Sequence, residues 1–190
     1  MKTLLIVTII TVVSNIILGI SILFKNTKNH SRILFGVYCF TIAILVAVNY
    51  LTSLNLNKPI TLFLVRLVMA LAVLQSALFL LFIYIFPNKK INIRKKKIYW
   101  ILITGILTII ICLSPFLFSD LTIENNKIFP VVSSGILIFV VFVFTCLAIG
   151  FTYLIRKYIH STGIIRNQYK YIIVGSITMF VLILFFNFIL

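Results

Sequence analysis

The stretch FPNKKINIRKKKIYW, Phe86 to Trp100, carries six basic residues, Lys89, Lys90, Arg94, Lys95, Lys96 and Lys97, and separates two long apolar runs. Two meanings compete for it. A basic segment can grip an acidic partner such as nucleic acid, or it can mark one side of a membrane. The choice decides the fold, and the rest of the chain makes it. The 190 residues are 63% hydrophobic and only 10% charged, whereas a soluble domain is about a quarter charged. Asp120 and Glu124 are the sole acids against seventeen Lys and Arg.

Six apolar blocks are long enough to cross about 30 Å of hydrocarbon as helices. They run Thr3–Phe24, Ile33–Leu54, Ile60–Phe86, Ile98–Phe118, Val131–Ile155 and Tyr171–Leu190. Polar and apolar residues do not alternate, so strands are not expected, and helices must satisfy the backbone in lipid. Pro59, Pro87 and Pro130 fall at block edges, where they delimit helices; Pro115 lies near the end of the fourth and is a candidate kink. The fold class is therefore all-α, a polytopic membrane bundle. The first block follows Lys2 like a secretory signal, but it runs on to Phe24 with no small-residue cleavage site. It reads as a retained span.

The loops between blocks are unequal. The first holds Lys25, Lys28 and Arg32; the third holds the six residues of the opening stretch; the fifth holds Arg156, Lys157, Arg166 and Lys170. The N-terminal tail and the even loops hold only Lys2, Lys58 and Lys127. Short cytoplasmic loops are enriched in Lys and Arg, so the odd loops are expected in the cytoplasm and the N-terminus outside. The basic stretch is then accounted for by topology and by attraction to an anionic inner leaflet, about 1 kcal/mol per charge near the surface. A nucleic-acid partner would want a folded basic face or interleaved aromatics, and the loop offers neither. Tyr84, Tyr99, Trp100, Tyr158, Tyr169 and Tyr171 border the same loops as an interfacial belt. An even span count leaves Leu190 outside. The chain stops flush with LILFFNFIL, so we expect a piece of something longer, with at least one more span before any cytoplasmic domain.

Little here is equipped for chemistry. Asp120 and Glu124 lie in one outer loop, SDLTIENNKIFP, and no carboxylate pair can form within the membrane. His30 and His160 sit in basic loops, and neither is followed by an acid as a phospho-accepting kinase histidine usually is. Cys39, Cys112 and Cys146 fall inside apolar blocks without ligand spacing, so they read as small buried hydrophobes. No cofactor, metal site or phosphate-binding loop is expected, and the chain is not read as an enzyme.

Polar residues inside spans are costly in lipid and tend to be functional. Arg66 lies six residues into the third block, about 9 Å deep at 1.5 Å per residue. Asn49, Asn187 and Ser114 stand at similar depth on the second, sixth and fourth blocks. One reading gathers them around a cavity open to the outside, with Asp120 or Glu124 as counter-ion to Arg66. The plainer reading, which we favour, has Arg66 snorkelling to headgroups and the asparagines making interhelical bonds of about 1 kcal/mol. Asn15, Gln75 and Ser76 lie deeper and read as packing residues.

Three stretches carry a resemblance. NTKNHSRILF begins at Asn26, and Asn49-Tyr50-Leu51 closes the same helix; VRLVMALAVLQSALFLLFIYIFP places Arg66 early and Phe82-x-x-x-Phe86-Pro87 at its end; RKYIHSTGIIRNQYKYIIVG follows Gly163 with Arg166, Gln168 and Tyr171. In this order and spacing the chain resembles, over its first six helices, the N-terminal seven-helix membrane region of bacterial and archaeal sensor histidine kinases. Leu45 stands where a tryptophan is usual, and Leu81 where a histidine is frequent. The resemblance implies a sensory module in a prokaryotic plasma membrane, coupled through a missing seventh helix to a cytoplasmic output domain, and a homodimer. By position, Phe82, Phe86, Pro87, Arg166, Gln168 and Tyr171 are the expected cytoplasmic couplers, the fifth loop being read as long. The alternatives are a complete six-helix transport protein, such as the substrate-binding subunit of a vitamin uptake transporter, or a membrane scaffold. The first helix lacks the A-x-x-x-A docking pattern usual in such subunits, having no alanine at all.

Overall fold

A computed structural model of the chain describes residues 2–25, 30–54, 56–87, 95–124 and 127–188. Among them are six helices, α1 (Lys2–Lys25), α2 (His30–Thr52), α3 (Lys58–Ile85), α4 (Lys95–Leu113), α5 (Gly135–Ile159) and α6 (Gly163–Phe188), with strands β1 (Phe118–Glu124) and β2 (Lys127–Val132) between α4 and α5. The chain divides into two compact units, Met1–Leu147 and Ala148–Leu190.

In the first unit α3 is the central shaft. Of its most apolar window 61% is buried, against 11% for α1. Lys58-Pro59 starts it with proline in the first turn, where the absent N–H has no helical acceptor to lose. The helix ends at Ile85 with Phe86 extended and its N–H bonded to the Phe82 carbonyl at 2.8 Å. Small residues let the neighbours approach: Ala70, Val73 and Cys112 form a buried cluster with Leu117 and Phe118, against which Val65, Ile109, Ile136 and Phe142 pack. Between α1 and α2 the close contact falls at Gly36, where a Cβ would lie 2.8 Å from Leu23 Cγ. Lipid supplies no hydrophobic drive between helices, so such close backbone packing has to hold them together.

The segment after α4 departs from expectation. The fourth apolar block was expected to run as helix to Phe118, and the fifth to begin at Val131. Instead α4 ends at Leu113, and residues 118–124 and 127–132 pair as an antiparallel hairpin in the register Leu121↔Pro130, Thr122↔Phe129 and Glu124↔Lys127. Ser114 is the reason for the stop. Its Oγ donates to the Ile111 carbonyl at 2.8 Å and accepts the Phe116 N–H at 3.2 Å, while Pro115 cannot supply a helical N–H. Pro115 therefore follows the helix rather than kinking it. Pro130, expected to delimit a helix, lies within β2, which a two-stranded sheet allows because each strand is an edge.

The hairpin joins α5 through a tight seam. Ser133 N–H donates to the Leu117 carbonyl and Gly135 N–H to that of Phe116, both at 3.0 Å. A Cβ on Gly135 would stand 2.6 Å from the Phe116 oxygen, so only glycine fits.

In the second unit the long fifth loop expected over residues 156–170 is absent. Residues 160–162 alone link α5 to α6, and Gly163, at φ 61°, opens the new helix in a conformation that side chains disfavour.

Gly135→Ala should destabilise the chain by about 1–3 kcal/mol, the usual range for overpacking. Gly105→Ala, whose Cβ would meet Phe142 at an ordinary 3.5 Å, should be neutral or better. Denaturation midpoints of the two variants in detergent micelles make the comparison.

Candidate functional site

The side chains with chemical character in the first unit converge where the hairpin meets α3. Arg66 occupies the third turn of α3, and a guanidinium there needs a partner in place of water. It finds the Phe118 carbonyl, to which Nε donates at 3.2 Å and Nη2 at 2.5 Å. The ladder is irregular between Phe118 and Leu121, and a carbonyl beside such a bulge is open to a side-chain donor. The same residue is 2% exposed, and Leu117 and Leu121 are buried with it. The start of β1 is thus held twice, by its carbonyl and by its side chains.

Nearer the end of α3 a second tie is wet. Lys58 Nζ stands 2.9 Å from both carboxylate oxygens of Asp120, and both side chains are about half exposed. The Asp120 carboxylate also accepts the Leu121 N–H at 2.8 Å. The hydrogen bond from Lys58, then that from Leu121, holds the Asp120 carboxyl below its usual range. Because the folded value is the lowered one, this tie is intact above the ordinary carboxylate range and is lost as pH falls through the lowered value.

The expected constellation is redistributed by these contacts. Asp120 is paired with Lys58 and not with Arg66, because Lys58 meets it at the exposed end of α3 whereas Arg66 lies two turns further in, bonded to a backbone carbonyl. Ser114 is half-buried and engaged in the turn that ends α4. Asn49 is exposed, and its backbone carbonyl accepts the Thr52 hydroxyl. The side chains of Glu124 and Asn187 lie outside the described residues. Lys58 and Phe118 were not singled out from the sequence. Lys58 had a signal, being one of only three cations in the poorly charged segments; a backbone carbonyl has none.

At the other end of α3 the expected couplers Phe82 and Phe86 lie in a run of rings shared with α2. Phe82 is 5.3 Å from both Phe35 and Phe86, and Phe79 is 6.5 Å from Tyr38. Pro87 follows, half-buried. Midway along, Thr41 Oγ lies 2.7 Å from Gln75 Oε1 and 2.8 Å from the Tyr38 carbonyl, one proton serving two acceptors. In the second unit Arg166 stacks over the Tyr158 ring at 5.1 Å, while Gln168 and Tyr171 are exposed.

Four of the helices, α1, α2, α3 and α5, are long and apolar enough to cross a membrane, and α4 adds a shorter apolar stretch, Ile98–Leu113. A bundle of such helices, with exposed Leu, Ile, Val and Phe along α1, α4 and α5, defines a multi-pass helical membrane protein. The family model described as the N-terminal 7TM region of histidine kinase matches residues 6–190, and the chain belongs to that family. No curated protein and no solved structure matches it.

Arg66→Met should keep the length of the side chain but leave the Phe118 carbonyl without its donors, at a cost of about 1–3 kcal/mol, with Arg66→Lys intermediate. Faster amide exchange in β1, measured in micelles, reports the loss. Lys58→Met should instead return the Asp120 carboxyl toward its ordinary value in an NMR titration, with little effect on unfolding.

Proposed function

We propose that this chain is the sensory membrane module of a histidine-kinase-type signalling protein in the plasma membrane of a bacterium or archaeon. The family carries the first part of this reading. The charge asymmetry of the loops supports the orientation, hairpin outside and the Phe86–Trp100 stretch inside. The observation that carries the finer part is the pair of ties, Arg66 to Phe118 and Lys58 to Asp120, that fix an extramembrane element onto a helix running to the opposite side. A change in the hairpin is then felt by α3, whose far end holds Phe82 and Phe86. A stimulus acts only insofar as it favours one of two helix arrangements over the other. Phosphoryl transfer belongs, on this reading, to a cytoplasmic output domain joined through a further helix.

The test has two parts. The reading frame beyond the Leu190 codon should encode a seventh apolar span and then a segment with a phospho-accepting histidine and an ATP-binding region; an immediate stop codon would sink the reading. In that full protein Arg66→Leu should insert normally yet lose its stimulus-dependent change in autophosphorylation. An unchanged response would remove the hairpin–α3 tie from the signalling path.

A further inference from the structure

We propose that the outward face of the hairpin is seated in the outer leaflet of the bilayer at headgroup level, so that the lipid surface itself is the partner of the sensory end. This rests on the orientation given under Proposed function. The inward face of the hairpin is used up by the protein, since Leu117, Phe118 and Leu121 are all buried. Apolar side chains remain uncovered: Phe129, 48% exposed, and Val131, 37%, alternate onto the outward face, and Phe116, 53%, and Val132, 58%, flank the ends of the ladder. A patch of this kind on a soluble surface marks an interaction site.

Three observations identify the occupant as lipid. The patch continues lipid-facing surface on both sides, for Leu113 closes α4 and Leu137 opens α5, both exposed, on helices of the membrane bundle. The hairpin cannot sink into the hydrocarbon, because a two-stranded sheet presents outward N–H and C=O groups on each strand that lipid tails leave unsatisfied. Polar side chains stand among the apolar ones, Ser119, Asp120 and Thr122 of the hairpin with Lys58 of α3 at its rim, all exposed, as groups at headgroup level would be toward water. Aromatic and aliphatic groups beside a polar rim are the composition of a membrane interface. Arg66 and Asp120 are meanwhile engaged within the protein, which disfavours an anionic solute as occupant. Lateral packing of the outer leaflet then bears on Phe129 and Val131 and reaches α3 through the Phe118 carbonyl.

Depth-resolved fluorescence tests this. The single tryptophan, Trp100, is replaced by phenylalanine, and Phe129→Trp or Val131→Trp is added to the full chain reconstituted in phosphatidylglycerol–phosphatidylcholine vesicles. Lipids brominated near the top of the acyl chain should quench the new tryptophan, and aqueous iodide should not. Iodide quenching without bromolipid quenching, in whichever variant folds, would overturn the seating. Ser119→Cys, labelled in cells by a membrane-impermeant maleimide, reports the side independently, since Cys39, Cys112 and Cys146 are buried. Bromolipid quenching with labelling only from within would overturn the orientation, and with it the outer leaflet and the sensory reading. Iodide quenching with labelling from outside would overturn the seating alone.

Discussion

A guanidinium within a membrane span has to be answered, and the way Arg66 is answered organises the first unit of this protein. Insertion scales put an arginine at the centre of a span at about 2.5–3.5 kcal/mol unfavourable. Nearer the end the cost is smaller, and an exposed Arg66 would escape it by snorkelling. It bonds the Phe118 carbonyl instead, with two donors on one acceptor. The bond needs a carbonyl that secondary structure does not consume, and the irregular start of β1 supplies one. Once that carbonyl is fixed, Leu117 and Phe118 fall between α3, α4 and α5, and the apolar ends of three helices are closed by residues that are not helical.

Charge placement shows a second constraint overriding local helix chemistry. No helix carries an acid in its first turn, and α4 begins with Lys95, Lys96 and Lys97. Cations there oppose the helix dipole, at about 0.3–1 kcal/mol each. Attraction to an anionic leaflet, about 1 kcal/mol per charge, equals or exceeds that, so the basic start of α4 is sustainable at a cytoplasmic surface and unfavourable elsewhere. At the end of α5 no such conflict arises, because Arg156 and Lys157 complement the C-terminal carbonyls.

The helical class, the six helices and the family were legible because each rests on composition over twenty residues or the joint order of several motifs. The hairpin was missed for a physical reason. FSDLTIE and KIFPVV are too short and too apolar to stand out against neighbouring spans, and hydropathy alone merges their ends into the helices on either side. Local signals were present: Ser114-Pro115 ends a helix, and β-branched runs flanking Glu-Asn-Asn-Lys suit a hairpin. The length of the fifth loop was misjudged because Arg166 and Lys170 read as loop, although a charged stretch can as well be the first turns of α6. Arg66 stood out as a lone cation. Its partner is a backbone atom, which no side-chain pattern reveals.

The same geometry limits how a disturbance at the hairpin can travel. Between Pro59 and Phe86 the shaft α3 contains neither proline nor glycine, the usual sites of a kink. A displacement at Arg66 is therefore carried as translation or rotation of the whole helix, not as a bend absorbed midway. Whole-helix motion has to break or drag what is bonded to its sides. The Thr41–Gln75 hydrogen bond and the tilted ring pairs Phe35–Phe82 and Tyr38–Phe79 join α3 to α2 along the half nearer Phe86. One net hydrogen bond is worth about 1 kcal/mol, and each ring pair about 0.5–1.5 kcal/mol. Their sum exceeds thermal energy several-fold, so a displacement of α3 that keeps these contacts takes α2 with it.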